Sequence, residues 1–410
     1  MKAMERYRDG FYRNYLIYTG LETDLLFFVV CDAMFLTKVK HLTLVQYSRV
    51  TFLSLLFSLL IQYPLLKCIN RMGNRKTVRA GSIFMLLSAF CITFSTGFFM
   101  VLIGGFLKCI GHTFNSIGTA VLKNRLETDH NADQYVDYQS DANTMACAFM
   151  MLTSLLCGYL FHLNEYFPMY ACILFSAAGV ASSWYISRDE RSSADIISAG
   201  DFRQMAQGQK QFRTLQAVLI FAAFAVFTAL TGTGLSYARL NFQEVLTGNS
   251  PAKVMLFLST VTSLIYLIRG LSNVILRETY AALGSKALII ASSLSLCGLL
   301  LQMLPWIKDT DITVALLCAG YLLLAFIRDP YITLVQNISL EINEIHKQQG
   351  MLIALNGAKK AGALVLSAAA TILLKNHSIF IVMALMTAAA LVNLLICIAI
   401  VSKRSTAGQK

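Results

Sequence analysis

The chain has 410 residues, of which 56% are hydrophobic and 14% charged, with a mean hydropathy of +0.61 and a formal charge of +12. An average soluble protein carries about 25% charged residues, so a water-soluble globule and a disordered chain are both excluded. The chain's solvent is largely lipid, in which backbone polar groups are satisfied only by helices or a closed barrel.

Run length decides between these. A spanning strand needs about 10 residues of alternating pattern, and a spanning helix about 20 mostly apolar ones. Residues 83–100 contain no charge and no strict alternation is found, so the segments read as helices. In chain order, twelve are predicted: Tyr15–Thr37, Val45–Leu66, Val78–Gly97, Phe99–Val121, Asn143–Phe161 and Phe167–Ser187, then Leu215–Ala238, Val254–Leu276, Lys286–Leu304, Ile312–Val335, Met351–Leu374 and Ser378–Val401. The polar stretch 188–213 separates six from six. The expected organisation is an all-α membrane protein with a six-helix bundle over 1–187, a cytoplasmic linker over 188–213 and a second bundle over 214–410.

With the amino terminus inside, the inner loops and ends hold 22 Lys and Arg and the outer ones 7. This asymmetry predicts both termini in the cytoplasm and a multi-pass protein of the plasma or inner membrane. The net charge is then a topology signal beside anionic lipid, not a nucleic-acid footprint. The ten Cys lie in or at the edge of apolar spans without a CxxC pair, so they read as small apolar residues rather than metal ligands.

Charges inside the spans carry the functional argument, because each costs roughly 2.5–3.5 kcal/mol at mid-bilayer. The first span holds Glu22, Asp24 and Asp32, and the fourth Lys108 and His112. The eighth holds Arg269, the tenth Arg328 and Asp329, and the eleventh Lys359 and Lys360. Unpaired, these ten groups would cost on the order of 25 kcal/mol, more than a typical folding free energy. Most are therefore paired or wet. At helical spacing Lys108 and Asn115 share a stripe with Gly104 and Gly111, and Asn356 aligns with Lys360. Glu22 and Asp24 are about 200° apart on a regular helix and are expected not to face one cavity together. Lys108 either pairs with an acid of the first span or contacts substrate.

The two halves echo each other. The loop after the second span reads Asn70-Arg71-Met72-Gly73-Asn74-Arg75-Lys76, and the loop after the eighth contains Leu283-Gly284-Ser285-Lys286. A duplicated six-helix layout is common among transporters. Layout and loop together resemble the major facilitator superfamily of secondary transporters. The family's loop pattern is Gly-x-x-x-Asp-Arg-x-Gly-x-Arg-Lys, which Arg71, Gly73, Arg75 and Lys76 match in register. Leu66 and Asn70 depart from it. The resemblance implies that spans 1, 4, 7 and 10 line a central pathway, with 2, 5, 8 and 11 beside them.

The expected function is alternating-access secondary transport of an anionic or zwitterionic small molecule, coupled to a proton or to sodium. Lys108, Asn115, Arg269, Arg328, Asn356, Lys359 and Lys360 are the candidate substrate contacts. Glu22, Asp24, Asp32, His112 and Asp329 are the candidate coupling groups. A lipid flippase or multidrug efflux pump of the same fold is the alternative. The expected partners are substrate, coupling ion and membrane lipids. A monomer without a cofactor is expected, and no catalytic motif of an enzyme is found.

Overall fold

The computed structural model describes residues 10–129, 135–188, 215–246, 250–283, 286–307, 312–342 and 348–407. The expected linker, apart from Arg188, lies outside the described residues, as do Gly284 and Ser285. Among the described residues all regular structure is helical. Ten helices are long and apolar enough to cross a membrane. The first two predicted segments take other forms.

The first segment is broken. Helix α1 spans Gly10–Glu22 and α2 spans Phe28–Met34, followed by a π-helical turn over Phe35–Val39. Between them Phe27 sits at φ 67°, ψ −50°, a conformation strained for a residue with a β-carbon. Its carbonyl accepts the amides of Val30 and Cys31 at 3.0 and 3.1 Å, which starts α2. Helix α3, Leu44–Leu60, opens on a reciprocal cap: Thr43 Oγ1 accepts the Gln46 amide at 3.2 Å, and Gln46 Oε1 accepts the Thr43 amide at 2.9 Å.

Helix α4, Gln62–Thr93, joins the end of the second segment to the third, and the chain turns inside it at Gly73, with φ 73° and ψ 164°. A cation meets the carbonyls at its end and just beyond it, since Lys40 Nζ donates to Thr93 O at 2.7 Å and Ser95 O at 3.0 Å. Helix α5, Phe98–Asn115, packs closely on α4. Ser88 Oγ donates to Gly104 O at 2.7 Å, and a β-carbon at Gly111 would stand 3.1 Å from Gly81 O. The fourth segment then halts at 116–117 and resumes as α6, Gly118–Thr128. Helices α7, Tyr135–Leu163, and α8, Phe167–Ile186, follow.

The chain divides into two compact units, Met1–Ile196 with Ser250–Leu267, and Ile197–Asn249 with Ile268–Lys410. In the first, Tyr12, Tyr15 and Tyr18 of α1 form a core with Val78, Val121, Leu126 and Tyr138. Tyr12 stacks on Tyr138 at 4.5 Å and donates to Asp129 Oδ2 at 2.9 Å, where Arg125 Nε also arrives at 3.0 Å.

The second unit begins with α9, Leu215–Thr231, and α10, Thr233–Val245, separated by Gly232. Then come α11, Pro251–Leu283, whose first part belongs to the first unit, and α12, Ala287–Ile307. The last are α13, Thr313–Ile342, α14, Gln348–Asn376, and α15, Ile379–Ala407. The core of this unit is aromatic and aliphatic around Phe224, Phe227 and Tyr331. The Tyr331 ring stacks on Phe227 at 3.5 Å, and its hydroxyl donates to Asn393 Oδ1 at 3.2 Å. Pro330 lies inside α13. The first, fourth and seventh predicted segments are thus each two half-helices, where hydropathy implied one continuous rod. Hydropathy registers apolar side chains, and a backbone break that keeps its flanks apolar leaves it unchanged.

Candidate functional site

The break after Glu22 aims two acids at α5. The side chain of Asp24, free of helical register, accepts at one oxygen: Lys108 Nζ is 2.7 Å and His112 Nε2 3.2 Å from Asp24 Oδ1, and the Leu25 amide donates to the same atom at 2.7 Å. The Lys108 and Asp24 side chains are 24% and 28% exposed, so the pair is largely removed from solvent. Lys108 Nζ also stands 5.7 Å from the centroid of the Phe28 ring. Of the two readings open for Lys108, pairing with a first-span acid is the one the geometry contains.

Glu22, the last residue of α1, is 5% exposed. Its Oε2 accepts from Asn115 Nδ2 at 2.6 Å, while Oε1 has no hydrogen-bond partner. Among the described residues no cation pairs with it. The Ser82 hydroxyl of α4, which donates to Val78 O at 3.4 Å, faces the same carboxyl group. Two glycines make the room: a β-carbon at Gly179 of α8 would overlap Glu22 Oε1, and one at Gly81 of α4 would overlap Asn115 Oδ1.

Glu22 opens on a cavity of about 200 Å³ lined also by Tyr15, Tyr18, Thr19, Thr23, His112, Asn115, Ser116 and Gly118. His112 therefore stands between the two acids, bonded to Asp24 and lining the Glu22 cavity. Asp24 is not among the residues that line this cavity, so the two acids do not face it together, although both reach α5; the angular argument itself fails to apply. It assumed 100° per residue through a helix that ends at Glu22.

The other candidates are spread. Asp32, on α2, accepts from Tyr47 of α3 at 3.2 Å and stands outside the cavity lining. Arg71, Arg75 and Lys76 flank the Gly73 turn with Arg71, Arg75 and Lys76 all exposed; the side chains of Leu66 and Asn70 lie outside the described residues. In the second unit Arg269 of α11, Arg328 of α13 and Lys360 of α14 are half-buried and Lys359 is exposed, and all four have interaction partners. The side chains of Asp329 and Asn356 lie outside the described residues.

Sequence reasoning missed three contributors. Tyr18, which lines the cavity, and Gly179, which makes room for Glu22 Oε1, carry no charge and were not singled out. Arg239 was counted among the outer topology charges, yet it is 8% exposed on α10, with Nη2 3.3 Å from Ser236 Oγ. Its position directly after the predicted seventh segment, Leu215–Ala238, carried no burial signal.

Comparison with known proteins agrees with this architecture. The family described as Major Facilitator Superfamily matches residues 23–339. A solved nucleoside transporter, NupG, is similar with a TM-score of 0.75 at 11% identity, over 96% of this chain and 99% of that one. A bacterial homologue of the iron transporter ferroportin in an inward-facing state gives 0.73 at 12% identity, over 95% and 98%. A D-xylose–proton symporter gives 0.65 at 13% identity, over 94% and 95%. At such identities the likeness concerns the fold alone. No curated protein matches in sequence.

Proposed function

The chain belongs to the major facilitator superfamily, and we propose that it is a proton-coupled secondary transporter of an anionic or zwitterionic small molecule, working by alternating access. It is a multi-pass membrane protein of a transporter family, whose members bind small-molecule substrates. Its residence in the plasma or inner membrane, with both termini cytoplasmic, rests on the cation asymmetry of the loops.

One observation carries the coupling: two acids, two residues apart, have opposite surroundings. Asp24 is matched by Lys108 and His112. Glu22 is more deeply buried and has an amide as its bonded partner, with no cation beside it. A matched acid holds structure together. A buried carboxyl without a counter-charge is the group whose proton matters, because its charged form is costly there. In this reading Glu22 binds and releases the coupling proton, and Asp24–Lys108 is a fixed strut. His112, bonded to Asp24 and lining the cavity at Glu22, senses the state of Glu22. Gain or loss of that charge biases the equilibrium between the two access states. Affinity for a carboxylate or phosphate is supported by the cations Arg269, Arg328, Lys359 and Lys360 of the second unit, with buried Arg239 added.

The test uses proteoliposomes with an imposed proton gradient and labelled lactate, succinate and β-alanine as probes. Wild-type uptake rises with the gradient. Glu22→Gln, which keeps the Asn115 bond, makes uptake indifferent to it, while Asp24→Asn lowers the amount of folded protein. Gradient-driven uptake that survives intact in Glu22→Gln rejects the assignment.

A further inference from the structure

An arginine at the edge of the first unit is held in place by neutral groups. Arg79 lies on α4, and Trp184 near the end of α8. Arg79 Nε donates to Ser187 Oγ at 2.7 Å and Nη2 to Trp184 O at 3.5 Å, and Cζ stands 4.9 Å from the centroid of the Trp184 ring. The guanidinium is thereby fixed on the carboxyl end of a helix, where a cation is favoured. Both Nη1 hydrogens and one on Nη2 have no partner among the described residues, and no carboxylate pairs with Arg79 there.

Its surroundings are apolar and exposed. On α4, Ile83, Leu87 and Phe90 continue from Arg79 at helical spacing, all of them exposed. On α8, Leu174, Ala178 and Ala181 lead at helical spacing to Trp184, which is 54% exposed. The two rows are tied at one end by Phe94 against Tyr170, with ring centroids 6.4 Å apart, and at the other by Arg79 on Trp184. Together they make an apolar strip about 22 Å long by the helical rise, long enough for an acyl chain. In the orientation proposed above, the Arg79 end is the inner one. Tryptophan gathers at that interface, and anionic lipid is concentrated in that leaflet.

Charge selects the occupant. Arg75 is exposed one turn before Arg79 and within electrostatic reach of it, and like charges at that spacing repel. A phosphate between them turns the repulsion into two attractions, and it fits the paired N–H groups of a guanidinium. A zwitterionic head group brings a cation of its own to the same place and gains less. We propose that Arg79, Arg75 and Trp184 form a binding site for an anionic phospholipid of the inner leaflet, with its phosphate on the two guanidinium groups and an acyl chain along the strip between α4 and α8. The inference goes beyond the transport reading, of which it needs only the orientation.

The chain has two tryptophans, Trp184 and Trp306, so Trp184 reports on its own ligand. The full-length protein in micelles of a neutral maltoside detergent is titrated with phosphatidylglycerol or phosphatidylcholine carrying brominated acyl chains, which quench tryptophan at short range. Phosphatidylglycerol reaches half-quenching at a several-fold lower mole fraction than phosphatidylcholine. Trp184→Phe removes this selective part and leaves the response of Trp306. Arg79→Gln raises the phosphatidylglycerol midpoint by about 10- to 100-fold, the worth of a hydrogen bond to a charged group. Arg75→Gln raises it by about fivefold, that of one cation beside anionic lipid. Arg71→Gln, exposed and ahead of the Gly73 turn, leaves it unchanged. Arg75 is exposed, so Arg75→Gln carries the test should Arg79→Gln not fold.

Three results overturn the proposal. In one, the two lipids quench Trp184 alike. In another, Arg71→Gln weakens quenching as much as the other two variants, the mark of a diffuse surface attraction. In the third, inorganic phosphate displaces the brominated lipid where sodium chloride of equal ionic strength does not, which assigns the two arginines to a free phosphate. The assay holds no gradient and no transported solute, so failure here leaves the coupling at Glu22 intact, and failure of gradient-driven uptake leaves this site standing.

Discussion

The Asp24–Lys108 pair makes the sharpest energetic prediction. At 2.7 Å and an effective dielectric of about 20, two unit charges attract by about 6 kcal/mol. Most of this is offset by stripping water from both ions, and the quarter of each side chain that stays exposed screens part of the remainder. A net coupling of about 2 kcal/mol is expected. Lys108→Met alone strands Asp24 with His112 as its remaining partner, and Asp24→Asn alone strands the ammonium. Removing one partner of a fully buried pair costs about 3–5 kcal/mol; partial exposure brings each single variant here to about 2–3 kcal/mol. The double variant, with neither charge, should recover much of that loss. Reversible unfolding in mixed micelles titrated with dodecyl sulfate, followed by helicity, gives the four free energies of the cycle. Independent sites add within about 0.3–0.5 kcal/mol. A coupling inside that band would mean that the pair is not a strut, and would remove the contrast with Glu22 on which the coupling assignment rests.

Four further outcomes follow from local geometry. Gly179→Ala drives its β-carbon into Glu22 Oε1 and displaces the carboxyl group from Asn115. Gradient-driven uptake in proteoliposomes should fall at least tenfold while the protein stays folded. Gly270→Ala, whose β-carbon meets nothing within 4 Å, should instead gain up to about 1 kcal/mol of helix propensity. Gly73→Ala places a side chain at φ 73°, ψ 164°, a region open essentially to glycine, and should lower unfolding stability by about 1–3 kcal/mol. Thr43→Ala removes the reciprocal cap on α3 and should cost about 1 kcal/mol in the same unfolding assay.

Hydropathy made the helical class legible, and helical spacing with the cost of buried charge made Lys108 a candidate partner for a first-span acid. Which acid was illegible, because the answer depends on a break at 23–27 that contains neither Gly nor Pro. Its marks are Thr23 and Asp24 inside an apolar run and Phe27 at positive φ, and neither interrupts a hydropathy window. Gly179 was invisible for another reason. Its value lies in the absence of a β-carbon opposite Glu22, more than 150 positions away in sequence, and spacing along one helix says nothing about a neighbour. Arg239 shows the same limit with the opposite sign: a cation near the end of an apolar run reads as a surface anchor until packing is known.

The breaks and the charges explain each other. Interruptions fall at 23–27 in the first segment, at Ile61 in the second, at 116–117 in the fourth and at Gly232 in the seventh, and Pro330 lies inside the continuous α13 of the tenth. All but the second are first or fourth members of a half. The third, sixth and twelfth segments run unbroken through 74–93, α8 and α15, and α12 meets Pro305 only in its last turn. An interrupted helix frees backbone groups that lipid cannot satisfy, so it persists only beside protein or a wet cavity. A mid-span charge needs the same surroundings. The two demands are independent, one set by the backbone and one by side chains. They coincide at Glu22 and Asp24 and at Arg328 two residues before Pro330, while the break at 116–117 is flanked by the uncharged polar residues Asn115 and Ser116. Interrupted helices at matching positions of two repeats are where transporters bind their substrates. Charge alone could have marked structural ion pairs, and breaks alone could have marked packing kinks. Their coincidence favours a polar pathway, and within the first unit it converges on the cavity beside Glu22.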